Sequence, residues 1–229
     1  MPPLVPGYPV TLMVEGRHCL VVGGGPVAAR KAQGLAGAGA LVTVVARRCC
    51  PEVRALADKA AASPFGRVTL EERPYRAGEA STYRLVVTAT GDPEVDGAVA
   101  ADAEAADVWV NSADDLAHCS FTLPSVHRDG PVSIAVSTAG TSPALAVWLR
   151  RRAASALGTE LGLLAALLEE ARQAVRAEGR PTNSVDWDAV LSGPLPDLVA
   201  AGRIDEARAL LGAAITQGVG AAASPEPTR

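Results

Sequence analysis

His18-Cys19-Leu20-Val21-Val22-Gly23-Gly24-Gly25-Pro26-Val27-Ala28-Ala29 sets the architecture of this chain. The run from His18 to Val22 is short, apolar and closed by glycine, as a buried strand is. Three glycines then turn the chain. Pro26 opens a helix at a first-turn position, where its missing N–H costs no hydrogen bond. Gly23-x-Gly25-x-x-Ala28 has the spacing of a dinucleotide-binding turn, in the strand–turn–helix setting that such a turn requires. The first glycine permits the tight turn, the second lets backbone amides approach a pyrophosphate, and the small third residue lets helix pack closely on strand. The helix N-terminus adds partial positive charge. Glycines also occur in ordinary βα turns, so the motif gains its weight from the ordered elements around it.

Working outward, Gly37 and Gly39 end the first helix, and Leu41 to Val45 is an apolar, β-branched second strand. A weaker helix is expected over 52–62, then strands at Val68–Leu70, Leu85–Thr90 and Val108–Val110, with a helix from Pro93 to Ala106 between the last two. Such alternation implies an α/β fold: a parallel sheet with helices on both faces. After Asn111 the pattern changes. Val132–Ser137 reads as a strand, and Ser142 as the N-cap of a helix that passes Arg150-Arg151-Arg152 and continues towards Ala171. Helical sequence extends to about residue 217, broken at Gly179-Arg180-Pro181 and Ser192-Gly193-Pro194. A disordered tail is expected over 218–229.

The chain has 229 residues, 48% hydrophobic and 20% charged, a globular composition. Aromatics are only 3% and the net charge is −4, so neither base stacking nor a basic groove supports nucleic-acid binding. No apolar run reaches the roughly 20 residues of a membrane span, and the N-terminal MPPLVPGYPV lacks the pattern of a secretory signal. A cytoplasmic protein is expected. The four cysteines, Cys19, Cys49, Cys50 and Cys119, form no Cys-x-x-Cys pair and read as thiols.

The acidic residue that usually binds the cofactor ribose is missing. Where the second strand ends, the chain has Ala46-Arg47-Arg48. Those arginines are either solvated neighbours of NAD or charge partners for the 2′-phosphate of NADP. Thr43 or Thr88 and backbone groups remain open as contacts to NAD.

Several separated motifs now combine: Tyr8-Pro9-Val10, Val21 through Lys31, Ala38 through Ala46, Thr88-Ala89-Thr90, Asn111 through Asp115, Phe121 through Ser125 and Val136 through Pro143. Over roughly residues 8–152 the chain resembles the precorrin-2 dehydrogenase/sirohydrochlorin ferrochelatase family, the N-terminal half of the sirohaem synthases. The resemblance implies NAD-dependent oxidation of precorrin-2 to sirohydrochlorin, with ferrous iron inserted by some members. It also implies a Rossmann-like NAD-binding domain over 1–113, a central dimerisation and active-site segment over 114–150, a helical domain over 151–217, and a homodimer. Family cofactor contacts fall on Gly23, Gly25, Pro26, Val27, Arg47 and Arg48, with Thr88 and Thr90 at a strand end facing the crevice. The essential aspartate falls on Asp114, and substrate-lining positions on Asn111, Ser137, Thr138, Gly140 and Thr141. Two departures stand out: Ser112-Ala113 replaces an apolar pair, and Asp96 replaces an asparagine.

Dehydrogenation removes a hydride and a proton, and Asp114 is the expected proton acceptor. By themselves Asp114 and Asp115 read as a solvated turn or helix cap; the resemblance gives Asp114 its role and leaves Asp115 as a cap or a partner behind it. No metal site is expected, because His118 and Cys119 on one short segment are too few ligands. The carboxylate-rich substrate calls for basic groups, among which Arg128 and Arg150–Arg152 are candidates. Three alternatives remain: a bifunctional dehydrogenase and ferrochelatase, a paralogue recruited to another substrate, and a non-catalytic NAD(H) sensor.

Overall fold

The apolar runs become one parallel sheet in the computed structural model, which describes residues 7–60, 67–158 and 160–221. The order along the chain is β1 (His18–Val22), α1 (Pro26–Gly37), β2 (Leu41–Ala46), α2 (Pro51–Ala60), β3 (Arg67–Glu72), β4 (Leu85–Thr88), α3 (Pro93–Ala105) and β5 (Trp109–Ser112). Across the sheet the order is β3-β2-β1-β4-β5, every pair parallel. The winding reverses between β1 and β4, which makes their carboxyl ends the crevice where an open α/β sheet takes ligands.

Alternation along the strands divides the core into two layers. Cys19, Val21, Val42, Val44 and Val87 face α1 and α2, where Ala28, Ala29, Ala32 and Val53 meet them. Leu20, Val22, Val45 and Val86 face α3 and its Val99, Ala100 and Ala103. The helices present mainly alanine, so their backbones lie close to the sheet.

Two compact units divide the chain. One runs to Leu123 and includes Ala139–Thr141; the other holds Pro124–Thr138 and everything from Ser142. The segment 114–150, expected as one central piece, is thus shared between them. In the second unit β6 (Ser125–Asp129) pairs antiparallel with β7 (Val132–Val136), and α4 (Pro143–Leu157) packs on this hairpin. Then follow α5 (Leu161–Ala177), α6 (Trp187–Ser192), α7 (Leu195–Ala200) and α8 (Ile204–Ala221). Leu167, Val175, Leu195 and Leu211 form their shared core. No helix among the described residues is long and apolar enough to cross a membrane.

Several expectations need correction. The helix expected to run from Ser142 towards Ala171 ends at Leu157, because Gly158 takes φ +80°, a left-handed conformation that stops a helix. β6 was not expected, since Ser125-Val126-His127-Arg128-Asp129 holds one aliphatic residue. The α7–α8 break at Gly202, with φ +70°, is likewise new. At the C-terminus α8 continues through 218–221, so these residues are helical where a disordered tail was expected; residues 222–229 of that tail lie outside the described residues. The end of the helix expected over 52–62 also lies outside them, beyond Ala60.

Candidate active site

The three glycines at the β1–α1 turn meet different surroundings. Gly23 has φ +132°, and a Cβ there would strike the carbonyl of Ala89 at the end of β4. At Gly24 a Cβ would collide with the carbonyl oxygen of Arg48 after β2. Around Gly25 a Cβ would meet nothing within 4 Å. Gly25 is the N-cap of α1 and no side chain caps it. The first N–H groups of α1 therefore retain their donors beside open space, the setting in which a helix start receives phosphate. Pro26 is exposed at the first turn, and Val27 packs partly into the core beneath it.

A cavity of about 680 Å³ opens beside this turn, along the carboxyl ends of the strands. Gly23, Gly24, Arg47, Arg48 and Thr90 line it, joined by Arg73, Tyr75 and the α3 residues Val95 and Ala98. Arg47 and Arg48 are both exposed there. Its far wall is braced by polar contacts. Arg73 donates through Nη1 and Nη2 to the two oxygens of Glu79, at 3.0 and 2.6 Å, and pairs with Glu71 at 2.6 Å. Burial pushes the Glu79 carboxyl up, but Arg73 and the Arg76 N–H outweigh it and hold the group below its ordinary value. Tyr75 donates to Asp102 at 2.8 Å, and burial, followed by that carboxylate, raises its phenol far above the usual range.

Thr88 and Thr90 take different roles. Thr88 is fully buried and donates its hydroxyl to Asp96, itself 7% exposed. Thr90 donates its hydroxyl to the same carboxylate at 2.7 Å and its N–H at 3.3 Å. Asp96, flagged only as a departure, thus ties α3 to the end of β4, and Thr88 shapes the crevice from behind. Thr90 faces the cavity.

Past β5 the chain carries Asp114 into solvent, exposed. Asp115 instead caps the next turn, accepting from Ala117 N at 2.9 Å, and pairs with His118 Nδ1 at 2.9 Å. Asn111 is 6% exposed, and its amide is spent on the protein: Nδ2 donates to Phe121 O at 3.0 Å, while Oδ1 accepts from Lys31 Nζ at 3.4 Å. Cys119 accepts from the Ser112 N–H at 3.2 Å, and burial raises its thiol pKa. Ser112 Oγ is buried with no hydrogen-bond partner among the described residues. Lys31, half-buried on α1, has its ammonium pKa lowered first by burial, against the opposing charges of Cys119 and Asp114.

Gly140 and Thr141 belong to the same unit as Asp114. Ala139 and Gly140 take consecutive left-handed conformations, φ +51° and +80°, and Gly140 lies so close to Leu116 that a Cβ would come within 2.7 Å of it. Ser137 and Thr138 belong to the other unit. There the Thr138 hydroxyl accepts from Ser142 N at 3.2 Å and donates to Ser142 O at 3.1 Å, fixing the start of α4. Sequence reasoning missed Gly24, Lys31 and the Arg73–Glu79 and Tyr75–Asp102 wall. Of these, Gly24 and Lys31 stand inside the motif from Val21 to Lys31.

Residues 10–125, half of the chain, match NAD_binding_7, a family of NAD(P)-binding domains, and residues 129–154 match the sirohaem biosynthesis protein central family. The chain belongs to this NAD(P)-binding family. The resemblance read from its motifs therefore holds, and a nicotinamide dinucleotide is its class of cofactor. It is 37% identical to the siroheme synthase of Thioalkalivibrio sulfidiphilus over 214 residues, 93% of this chain and 42% of that protein. To the siroheme synthase of Chromobacterium violaceum it is 39% identical over 206 residues, 88% of this chain and again 42% of that one. The chain thus spans less than half the length of these relatives. The solved structure of SirC, precorrin-2 dehydrogenase, superposes with a TM-score of 0.71 at 22% identity, covering 92% of this chain and 100% of that one. That likeness shows a shared fold.

Proposed function

We propose that this chain oxidises precorrin-2 to sirohydrochlorin with NAD as acceptor, acting as a homodimer in the cytoplasm. The observation that carries the reading is the pairing, in one unit, of an uncapped phosphate turn open at Gly25 with Asp114 past the carboxyl end of β5. Family membership, the siroheme synthase relatives and the fold of a precorrin-2 dehydrogenase support it.

The residues present fit the cofactor. Gly23 and Gly24 let the turn lie against the Ala89 and Arg48 carbonyls, Gly25 leaves room for a pyrophosphate, and the first N–H groups of α1 would bind its charge. Pro26 and Val27 hold the start of that helix, while Thr90, Arg47 and Arg48 line the cavity beside the turn. When bound, the nicotinamide supplies the hydride acceptor. Asp114 then takes the proton that leaves the macrocycle as the hydride departs. Gly140 and Thr141, in the same unit as Asp114, and Asn111 at the end of β5 are the substrate-lining positions that this reading gives to the first unit.

An anaerobic assay with enzymatically generated precorrin-2, following NADH or NADPH formation, tests this directly. Turnover with NAD well above that with NADP is expected. Comparable rates would give Arg47 and Arg48 a 2′-phosphate to bind, and no turnover with either cofactor overturns the reading. Asp114→Ala is expected to lower kcat by about 100-fold or more, the range of a lost general base, with NAD affinity unchanged. A variant of normal rate would remove Asp114 from the chemistry. Ferrous iron added to the same mixture tests metal insertion as a second activity.

A further inference from the structure

Lys31 is a half-buried cation with no acidic partner among the described residues. From α1 its side chain reaches the end of β5, 80 residues later in the chain, and Nζ donates to Asn111 Oδ1 at 3.4 Å. That acceptor is itself pinned, since Asn111 is buried and its Nδ2 is held by Phe121 O. Among the described residues none forms an ion pair with the ammonium. Asp114 is near enough to act on its charge without pairing to it. Taking a cation part-way out of water is costly when a neutral amide is its hydrogen-bonded acceptor, and an anion from outside offsets that cost.

The proposed substrate brings such anions. It carries many carboxylates, and Asp114 alone would repel them, since like charges brought together oppose association. A cation held beside Asp114 cancels that repulsion where the macrocycle must come closest. We propose that Lys31 binds a carboxylate of the tetrapyrrole next to Asp114, with Asn111 holding the ammonium ready. This rests on the precorrin-2 reading above. It adds a substrate contact on the same helix whose N-terminus faces the cofactor phosphates.

The test uses the full chain as wild type, Lys31→Met and Lys31→Arg, with Lys31→Gln as a second charge-removing variant should the first fail to fold. Precorrin-2 and sirohydrochlorin are titrated anaerobically by fluorescence quenching at several salt concentrations, and NAD is titrated separately. Loss of the charge is expected to weaken tetrapyrrole binding about tenfold or more, the scale of one charge-assisted contact. The salt dependence should flatten, Lys31→Arg should stay within about threefold of wild type, and NAD affinity should not change. Unaltered tetrapyrrole affinity in Lys31→Met overturns the proposal and leaves the dehydrogenase reading standing. A loss confined to NAD affinity assigns the anion to the cofactor and overturns it too. A wild-type chain that binds neither tetrapyrrole overturns both.

Discussion

Gly23 and Gly24 answer to two different backbone neighbours and Gly25 to open space, and the motif spacing distinguishes only some of these demands. Gly23 and Gly25 were legible because the fingerprint names them. Gly24 was not, because its requirement comes from the Arg48 carbonyl after β2, a contact between segments far apart in sequence. The contrast gives a prediction. Gly24→Ala must displace backbone and is expected to cost about 1–3 kcal/mol, as overpacking does, read as a lower Tm. Gly25→Val places its side chain in open space, so Tm should hold while NAD affinity falls at least tenfold. Equal NAD affinity in wild type and Gly25→Val would move the pyrophosphate elsewhere. Lys31 escaped notice for a related reason: a lysine on a polar helix position reads as solvated, and only the fold brings Asn111 to it.

At the level of elements, strands β1, β2 and β4 were legible because strands buried on both faces are continuous apolar runs. β6 was hidden because a half-exposed strand with histidine and arginine carries no such signal. The cavity wall after β3 was equally silent, since it is built from pairings across several residues: Arg73 with Glu79, and Tyr75 with Asp102. That wall gives a pH prediction. The Glu79 carboxyl lies below its ordinary value in the folded chain, so its contribution is present above the unfolded pKa of about 4.3 and is lost as pH falls through the folded value. Glu79→Gln is expected to cost about 1–2 kcal/mol at pH 7. The two unfolding curves should converge in the acid range below about pH 4. A gap that persists there would assign the cost to packing instead of charge.

On the scale of the molecule, the hairpin and α4 bury little by themselves. Ala146 alone is buried on α4, while Leu145, Trp148 and Leu157 remain 45%, 54% and 56% exposed, and Arg152 covers one face of Trp148 at 5.5 Å. A second copy of the chain is the partner that the proposed dimer supplies for this surface. Stable interfaces bury about 1,200–2,000 Å², and a charge at their centre is expected to prevent association. Light scattering should therefore give a dimer for the wild type and a monomer for Trp148→Glu; a dimer in both would place the contact elsewhere. The family resemblance supplied the dimer expectation, whereas neither the periodicity of α4 nor its composition did.

The allocation of Ala139–Thr141 to the first unit, while its flanks belong to the second, bears on how such proteins can be cut and recombined. A nucleotide-binding module excised after Leu123 would leave behind three residues of its own body and strip Leu116 of the Gly140 backbone that lies against it. A portable version has to carry the chain through Thr141, hairpin included. Swapping one body between relatives therefore means cutting the chain at three seams, after Leu123, after Thr138 and after Thr141.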